Sequence, residues 1–344
     1  MKRKMLAEFG CLPTAIGSMP HTNPEEAYSL VMKYFPAIPS WPQLPRRSSK
    51  ERMYIQVSEG FPGVVLTGDK IHIKRQANFD SELEQIYLDS EQDNFARYNI
   101  SSEYAAGFHA FLAEGKGRET VKGQITGPIT FGLSVTDESG LPILYDDTLA
   151  EVLAKFLRLK ASWQENALRQ ISSDTIIFVD EPHLVSLGSV FTPIPEKKVT
   201  ILLEEVFKGI KGLKGVHCCG NTDWPLILNT TTDILSFDAY NYASSLSAYP
   251  NEVKSFLVRG SAIAWGIVPN DEEALAKESV SSLYDRLGEA MACFTRDGIS
   301  FKQIIEQGLL TPSCGLAGLS LEAASRALEL SAALSDRLRR KYSV

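Results

Sequence analysis

Short apolar runs alternate along the chain with longer stretches in which apolar residues recur at helical spacing. Eight runs are apolar on both faces, and several end in Gly, Pro, Asp or Cys: residues 12–18, 63–67, 121–126, 175–180, 215–219, 234–238, 262–267 and 309–313. Helical patterns lie between most of them, as over residues 149–171. The alternation predicts an α/β fold, and the count of eight favours a closed (β/α)8 TIM barrel over an open doubly wound sheet.

Capping signals mark helices near both ends of the chain. The sequence Asn23-Pro24-Glu25-Glu26 combines a cap, a first-turn proline and first-turn acids, which predicts a helix start. Residues 319–342 form a closing helical pattern that begins near Ser320 and ends in basic residues. We therefore expect residues 1–344 to form a single TIM-barrel catalytic domain.

Four prolines interrupt residues 36–45, directly after the first predicted helix. Because proline is excluded from helix interiors and donates no backbone hydrogen bond, this stretch is expected to be an extended loop. One interpretation is a plain connection between elements. The other is a loop that covers a substrate, since long ordered loops are often functional.

Composition and charge exclude several classes of protein. The 344 residues are 44% hydrophobic and 22% charged, with a net charge of −7 and no dense basic stripe, so nucleic acid is not an expected partner. No apolar stretch approaches the roughly 20 residues of a membrane helix. The first ten residues lack the apolar block of a secretory signal, which predicts a cytoplasmic protein. No nucleotide-binding GxGxxG or GxxxxGK[ST] motif follows a predicted strand.

The strongest chemical signal is a group of soft ligands at predicted strand ends. His217 and Cys219 are two residues apart, so they face the same side of a strand. Asp238 ends the next strand, and Cys314 follows the last one. Each residue alone is ordinary, as a buried thiol or a cap. Together, at the mouth where active sites of this fold lie, they predict a zinc site of His217, Cys219, Asp238 and Cys314.

A second cluster, Asp180-Glu181-Pro182, places two carboxylates at the end of another strand. Adjacent residues point to opposite faces, so we expect one of the two to face the site and favour Asp180. An inward carboxylate could bind a substrate ammonium group. The alternative is an acid that only caps a helix N-terminus.

With these residues assembled, the chain resembles the catalytic C-terminal barrel of cobalamin-independent methionine synthase. The wider superfamily of such barrels includes uroporphyrinogen decarboxylase and the corrinoid:thiol methyltransferases. The resemblance is carried by residues 16–20, 126–130 and 180–182, by His217 with Cys219, and by residues 312–316.

The resemblance implies a zinc-dependent methyltransferase that activates the thiol of homocysteine and forms methionine. The zinc ligands of the family fall here on His217, Cys219, Asp238 and Cys314. The homocysteine carboxylate site falls on the Ile16 backbone and Ser18. Asp180 takes the place of the partner of the amino group.

Three departures from the family bear on the methyl donor. The acidic ligand is Asp238 where the long synthases have Glu, and the N-terminal barrel that helps them bind folate has no counterpart here. Their His-Ser-Pro segment corresponds to Gly266-Ile267-Val268-Pro269, which has no imidazole to protonate folate. We therefore expect a methyl-corrinoid donor, either methylcobalamin or a corrinoid protein.

Two alternatives remain open at this point. A corrinoid:coenzyme M-type thiol methyltransferase would use the same ligand types with another acceptor. A non-catalytic zinc-binding barrel would hold the metal for structure alone. Uroporphyrinogen decarboxylase activity is disfavoured, because it uses no metal and leaves the His/Cys/Cys group unexplained.

Overall fold

The computed structural model describes residues 9–188, 192–295 and 298–344. Seven of the strands in these ranges form one parallel sheet, in the order β1-β9-β8-β7-β6-β5-β4. The strands are β1 Leu12–Pro13, β2 Val64–Thr67, β3 Lys70–Ile73, β4 Arg118–Thr126, β5 Ser172–Asp180, β6 Leu213–Cys218, β7 Ile234–Phe237, β8 Ala262–Val268 and β9 Gly308–Pro312. The sheet curls and is flanked by helices, so the prediction of an α/β, TIM-like barrel is confirmed.

The proline-rich segment 36–45 lies between the two outer strands of this sheet, β1 and β4. On one side, Lys122 N of β4 donates to Pro39 O at 2.9 Å. On the other side, Gln43 N donates to Gly17 O at 3.0 Å, and Thr14 Oγ1 donates to Ile38 O at 2.8 Å. The segment is extended, as predicted, but it occupies the position of a barrel strand rather than that of a loop. Residues between the prolines supply the donors that proline lacks.

The prediction of a barrel strand at residues 63–67 is wrong in its placement. β2 is a strand, but it pairs antiparallel with β3 in a separate hairpin. Residues 68–69 form the two-residue turn, and Gly68 there has φ +60°. An apolar run of four or five residues does not specify which partner it pairs with, and the adjacent turn selects the hairpin.

Fourteen α-helices lie in the described ranges. They are α1 Pro24–Tyr34, α2 Met53–Val57, α3 Phe79–Glu91, α4 Ala106–Glu114, α5 Pro128–Ser134, α6 Asp147–Leu168, α7 Glu196–Phe207, α8 Trp224–Leu228, α9 Ala239–Leu246, α10 Pro250–Val258, α11 Glu272–Lys277, α12 Val280–Thr295, α13 Phe301–Glu306 and α14 Leu321–Tyr342. Two predicted caps are present, because the side chains of Asn23 and Ser320 accept from the first turns of α1 and α14. None of the described helices is both long and apolar enough to cross a membrane.

The buried apolar residues of the described ranges form two hydrophobic clusters. A small cluster that includes Ile176, Phe178, Ile234, Ala264 and Leu309 comes from alternate positions of the parallel strands. A much larger cluster joins the other face of the sheet to the helices. Because the strands are parallel, their carboxyl ends meet at one mouth, where the chemistry of this fold is found.

Candidate metal centre

His217, Cys219 and Cys314 converge at this mouth. One ligand atom from each residue lies within 4.8 Å of the others. His217 lies in β6 and Cys219 directly follows it, so strand alternation turns both side chains to the same side. Cys314 follows β9, which is separated from β6 by β7 and β8. The structure therefore brings these three residues together from strand ends that are not neighbours, and their binding of zinc stays a prediction.

The surroundings of His217 fit a metal ligand. Its ring is buried, and Nδ1 lies 2.9 Å from Ser236 Oγ, on the paired residue of β7. Its other nitrogen, Nε2, is buried with no hydrogen-bond partner. Buried polar atoms are rarely left unpartnered, and metal-bound histidines are commonly held through their second ring nitrogen. The structure thus shows a histidine oriented by one nitrogen, with the other available.

The two thiols lie close enough to affect each other's ionisation. A hydrogen bond from Cys314, together with the neighbouring His217 ring, lowers the pKa of Cys219 to about 4. The same hydrogen bond, together with burial, raises the pKa of Cys314 well above its usual range. Thiolate sulfur and imidazole nitrogen are the donors that zinc prefers, and metal binding displaces the remaining proton. The three residues therefore fit zinc in donor type as well as in proximity.

Asp238 lies beside this group, but its side chain is hydrogen-bonded as a helix cap. Its side chain accepts from Asn241 N at 2.9 Å and from Asn241 Nδ2 at 2.7 Å, which caps α9. Burial raises its pKa, and the nearby charge of Cys219 acts in the same direction. Asp238 is not among the residues whose ligand atoms lie within 4.8 Å of one another. Coordination of zinc by Asp238 stays a prediction.

The two adjacent carboxylates separate as strand alternation requires. Asp180 ends β5 and is buried, with Oδ1 unpartnered. Burial raises its pKa to about 6, against the opposing charges of Lys122 and His217. Glu181 turns the other way and accepts from Ile129 N at 2.8 Å and Thr130 N at 2.7 Å, at the start of α5. Asp180 is thus the carboxylate that faces the mouth.

Ile16 and Ser18 lie on the connection between β1 and α1, next to the metal group. Ser18 O accepts from Leu316 N at 2.8 Å, two residues beyond Cys314. A Cβ at position 315 would lie 2.0 Å from Ser18 Oγ, so a side chain there would displace the Ser18 hydroxyl. Ile16 O accepts from Lys122 Nζ at 2.8 Å, and binding of a substrate carboxylate by Ile16 and Ser18 stays a prediction.

Lys122 is the residue of this region that sequence reasoning missed. It lies in β4, and its side chain is fully buried. Burial lowers the pKa of Lys122 to about 8, and the charge of Asp180 opposes this shift. The available signal was a lysine inside an otherwise apolar strand pattern, in the sequence Val121-Lys122-Gly123.

Comparison with known proteins identifies the fold. No protein-family model and no curated protein matches the chain. A solved B12-independent methionine synthase from Shewanella sp. W3-18-1, in complex with selenomethionine, is 18% identical over 96% of this chain and 98% of that chain, with a TM-score of 0.61. A putative vitamin-B12 independent methionine synthase from Listeria monocytogenes is 15% identical over 92% of this chain and 86% of that one, with a TM-score of 0.55.

A methyltransferase from Methanosarcina mazei is also similar, at 13% identity over 92% of this chain and 86% of that one, with a TM-score of 0.50. At such identities, the likeness shows that these proteins share a fold with this chain. Function has to be argued from the site.

Proposed function

We propose that this protein is a zinc-dependent methyltransferase that moves a methyl group onto the thiol of homocysteine and forms methionine. The observation that carries the proposal is the convergence of His217, Cys219 and Cys314, with His217 Nε2 buried and unpartnered. Their donor atoms suit a metal that activates thiols. The fold shared with methionine synthases and a methyltransferase supports the same reaction class.

Zinc held by these residues, with Asp238 as the proposed fourth ligand, would lower the pKa of the acceptor thiol so that its sulfur is nucleophilic at neutral pH. The sulfur lone pair forms the new bond to the methyl carbon. The bond between that carbon and the donor breaks, and its electron pair stays with the donor, while the thiol proton passes to solvent.

The residues around the metal group would hold the other end of the acceptor. Asp180, with a free carboxylate oxygen, is suited to the ammonium group of homocysteine. Ser18, next to Gly315, is suited to its carboxylate. Fixing both groups aims the sulfur at the methyl carbon and lowers the entropic part of the barrier.

The proposed donor is a methyl-corrinoid, as methylcobalamin or a corrinoid protein. Methyl-folate needs protonation of its leaving nitrogen, whereas cobalt leaves with the electron pair and needs no proton. The segment that would carry the acid, Gly266-Ile267-Val268-Pro269, has no imidazole and lies at the buried end of β8. Two of the similar solved proteins are described as B12-independent, so methyl-folate is the alternative donor that a test has to include.

Metal content and methyl transfer test the proposal together. We expect about one zinc per wild-type chain, with methionine formed from homocysteine and methylcobalamin. Cys314→Ser should lose most of the zinc and all detectable transfer. Cys293→Ser is the matched control, because Cys293 is exposed on α12 and should leave both properties unchanged. Product from methyl-folate alone would overturn the donor, and zinc without transfer to any thiol would overturn the function.

A panel of acceptor thiols separates homocysteine from coenzyme M-type acceptors. The buried Asp180 favours an acceptor that carries an ammonium group and disfavours a sulfonate. We expect homocysteine to be methylated with at least tenfold higher kcat/KM than 2-mercaptoethanesulfonate, a difference of about 1.4 kcal/mol. The reverse order would assign the protein to the second acceptor class.

A further inference from the structure

A cavity of about 900 Å³, the hairpin cavity, lies between the β2–β3 hairpin and the loops that follow β4 and β5. Side chains within residues 67–74 of the hairpin form one wall, and residues within 134–140 together with His183 form the other. The hairpin is fixed over these loops, because Ile73 N donates to Thr136 O at 2.7 Å. Pockets for small molecules commonly have volumes of roughly 300–1,000 Å³. The hairpin cavity is therefore large enough to take a substantial part of a ligand.

The hairpin cavity lies at the same end of the barrel as the metal group. His183 lines it and follows Asp180, the last residue of β5, in the next turn of the chain. Tyr54 lines it too, and the neighbouring Met53 O accepts from Thr126 Oγ1 at 2.6 Å, at the end of β4. Since the carboxyl ends of parallel strands meet at one mouth, the cavity adjoins the mouth beside β4 and β5.

One face of β3 presents basic side chains to the hairpin cavity. Ile71 and Ile73 are buried on the other face of the strand. Strand alternation therefore places Lys70, His72 and Lys74 on the cavity side, and all three line it. Within the described ranges, the ammonium groups of the two lysines make no hydrogen bond or ion pair. Two unpaired ammonium groups on one wall of a cavity suit an anionic ligand.

The two acidic residues that line the hairpin cavity are engaged by the backbone around them. Asp137 Oδ1 accepts from Ser139 N at 2.8 Å and from Leu141 N at 3.0 Å, so it closes its own turn. Glu138 Oε1 accepts from Arg75 N at 2.8 Å, which joins this turn to the hairpin. Neither acid is paired with a lysine of the cavity, so the lysines keep their donors for a ligand.

We propose that the hairpin cavity binds the anionic part of the methyl donor, and that Lys70 and Lys74 contact its oxyanion. This inference rests on the proposed function, which requires a methyl donor to reach the mouth of the barrel. The oxyanion lies against the two ammonium groups, and the methyl-bearing part of the donor lies toward the metal group. Such an oxyanion has two sources, the phosphodiester in the nucleotide of cobalamin and the glutamate chain of a folate.

The test measures binding by calorimetry for two pairs of ligands that differ in this anion. Hydroxocobalamin is compared with diaquacobinamide, which lacks the nucleotide phosphodiester, and methyl-folate with a triglutamate chain is compared with the monoglutamate. In wild-type protein, we expect the more anionic ligand of one pair to bind about tenfold more tightly or better, and this preference should weaken at high salt. The double variant Lys70→Met/Lys74→Met should lose the preference, while binding of the less anionic ligand changes by less than about threefold.

Lys116→Met/Lys211→Met is the matched control, because it removes the same charge at the other end of the barrel. Lys116 and Lys211 are exposed and lie just before the starts of β4 and β6. This variant should keep the preference of the wild-type protein. Lys70→Arg/Lys74→Arg should keep most of it, since arginine retains the positive charge. Zinc content should be the same in all of these variants.

The outcomes distinguish this inference from the proposed function. The anion site is overturned by wild-type protein without a preference in either pair, by a preference that Lys70→Met/Lys74→Met leaves intact, or by an equal loss in the control. Methyl transfer would stand in each of these cases. A preference that depends on the two lysines, in a protein that transfers no methyl group to any thiol, would support the anion site and overturn the proposed function. Dependence in the cobalamin pair identifies phosphate as the anion, whereas dependence in the folate pair alone identifies carboxylate and replaces the proposed corrinoid donor.

Discussion

The carboxylate of Asp238 caps a helix and is also the proposed fourth ligand of the metal. Its two hydrogen bonds to Asn241 fix the start of α9, and its position beside Cys219 places it near the metal group. An ionised carboxylate has about four lone-pair sites, so accepting two hydrogen bonds does not exhaust its oxygens. Capping of α9 and metal binding are therefore compatible and can be separated by substitution.

We expect Asp238→Asn to keep the stability of the protein but to lower its zinc affinity, because an amide oxygen caps a helix well and binds zinc weakly. Asp238→Ala should lower the affinity too, and should also cost about 1 kcal/mol of unfolding free energy through loss of the cap. Competition with a chromogenic chelator and urea unfolding measure the two effects. Unchanged zinc affinity in both variants would reduce Asp238 to a cap.

Individual residues of the candidate site differ in how well the sequence predicts them. His217 and Cys219 are recognisable because alternation in a strand puts both on one side, and Cys314 is recognisable because it follows a strand-like run. Lys122 is not, since a lysine among apolar residues is equally consistent with a strand edge or an exposed side chain. Its buried side chain donates to Ile16 O, which is distant in sequence and meets it only in the folded barrel.

Among the elements, the junction between β1 and the barrel-closing segment, residues 36–45, is tightly constrained. Gly17 has φ +146°, and its Cα lies so close to Gln124 that an added Cβ would be 2.5 Å from Nε2. Gly17 O also accepts from Gln43 N of the closing segment. The junction thus depends on a residue without a side chain.

Gly17→Ala should therefore destabilise the protein by more than its φ angle alone would cost. Gly60→Ala is the control, because Gly60 also has positive φ, at +82°, but a Cβ there would meet nothing within 4 Å. We expect a loss of about 1 kcal/mol for Gly60→Ala and of about 2 kcal/mol or more for Gly17→Ala, with a raised KM for homocysteine in the latter. Urea unfolding gives the comparison, and equal losses would show that the contact with Gln124 relaxes at no cost.

The elements also show where pattern reasoning reaches its limit. Strands β4 to β9 can be predicted from apolar runs, because a strand that is buried on both faces consists almost entirely of apolar residues. The positions of the barrel-closing segment and of β2 cannot be predicted in this way, since their strand partners depend on contacts with residues distant in sequence. Pro39 and Pro42 make their segment read as a loop in the sequence, although it lies in a strand position of the barrel. The turn at Gly68 pairs β2 with β3 instead of with a barrel strand.

At the scale of the whole molecule, the core and the metal group are built from different residues. The interior cluster around Phe178 and Ile234 and the larger outer cluster consist of hydrophobic residues. Neither cluster includes His217, Cys219 or Cys314. Large hydrophobic cores hold a domain together without a metal, whereas small metal domains unfold when the metal is removed.

Removal of the metal should therefore abolish methyl transfer but leave the protein folded. We expect protein treated with a chelator to keep its far-ultraviolet circular dichroism and a cooperative thermal transition, at a lower Tm because the metal binds only the native state. Added zinc should restore transfer. Unfolding on chelation would instead support the non-catalytic, structural zinc barrel.

The pairing of β1 with β9 also bears on how tightly the chain can hold a metal. His217 and Cys219 come from one strand end, but Cys314 reaches them only when β9 inserts between β8 and β1. A chain in which β9 is unpaired would bring together only His217 and Cys219 of the three ligands, so it should hold a metal loosely. Tight metal binding therefore requires the pairing of β9, and a chain in which this strand is unpaired should be recognisable by metal that exchanges rapidly.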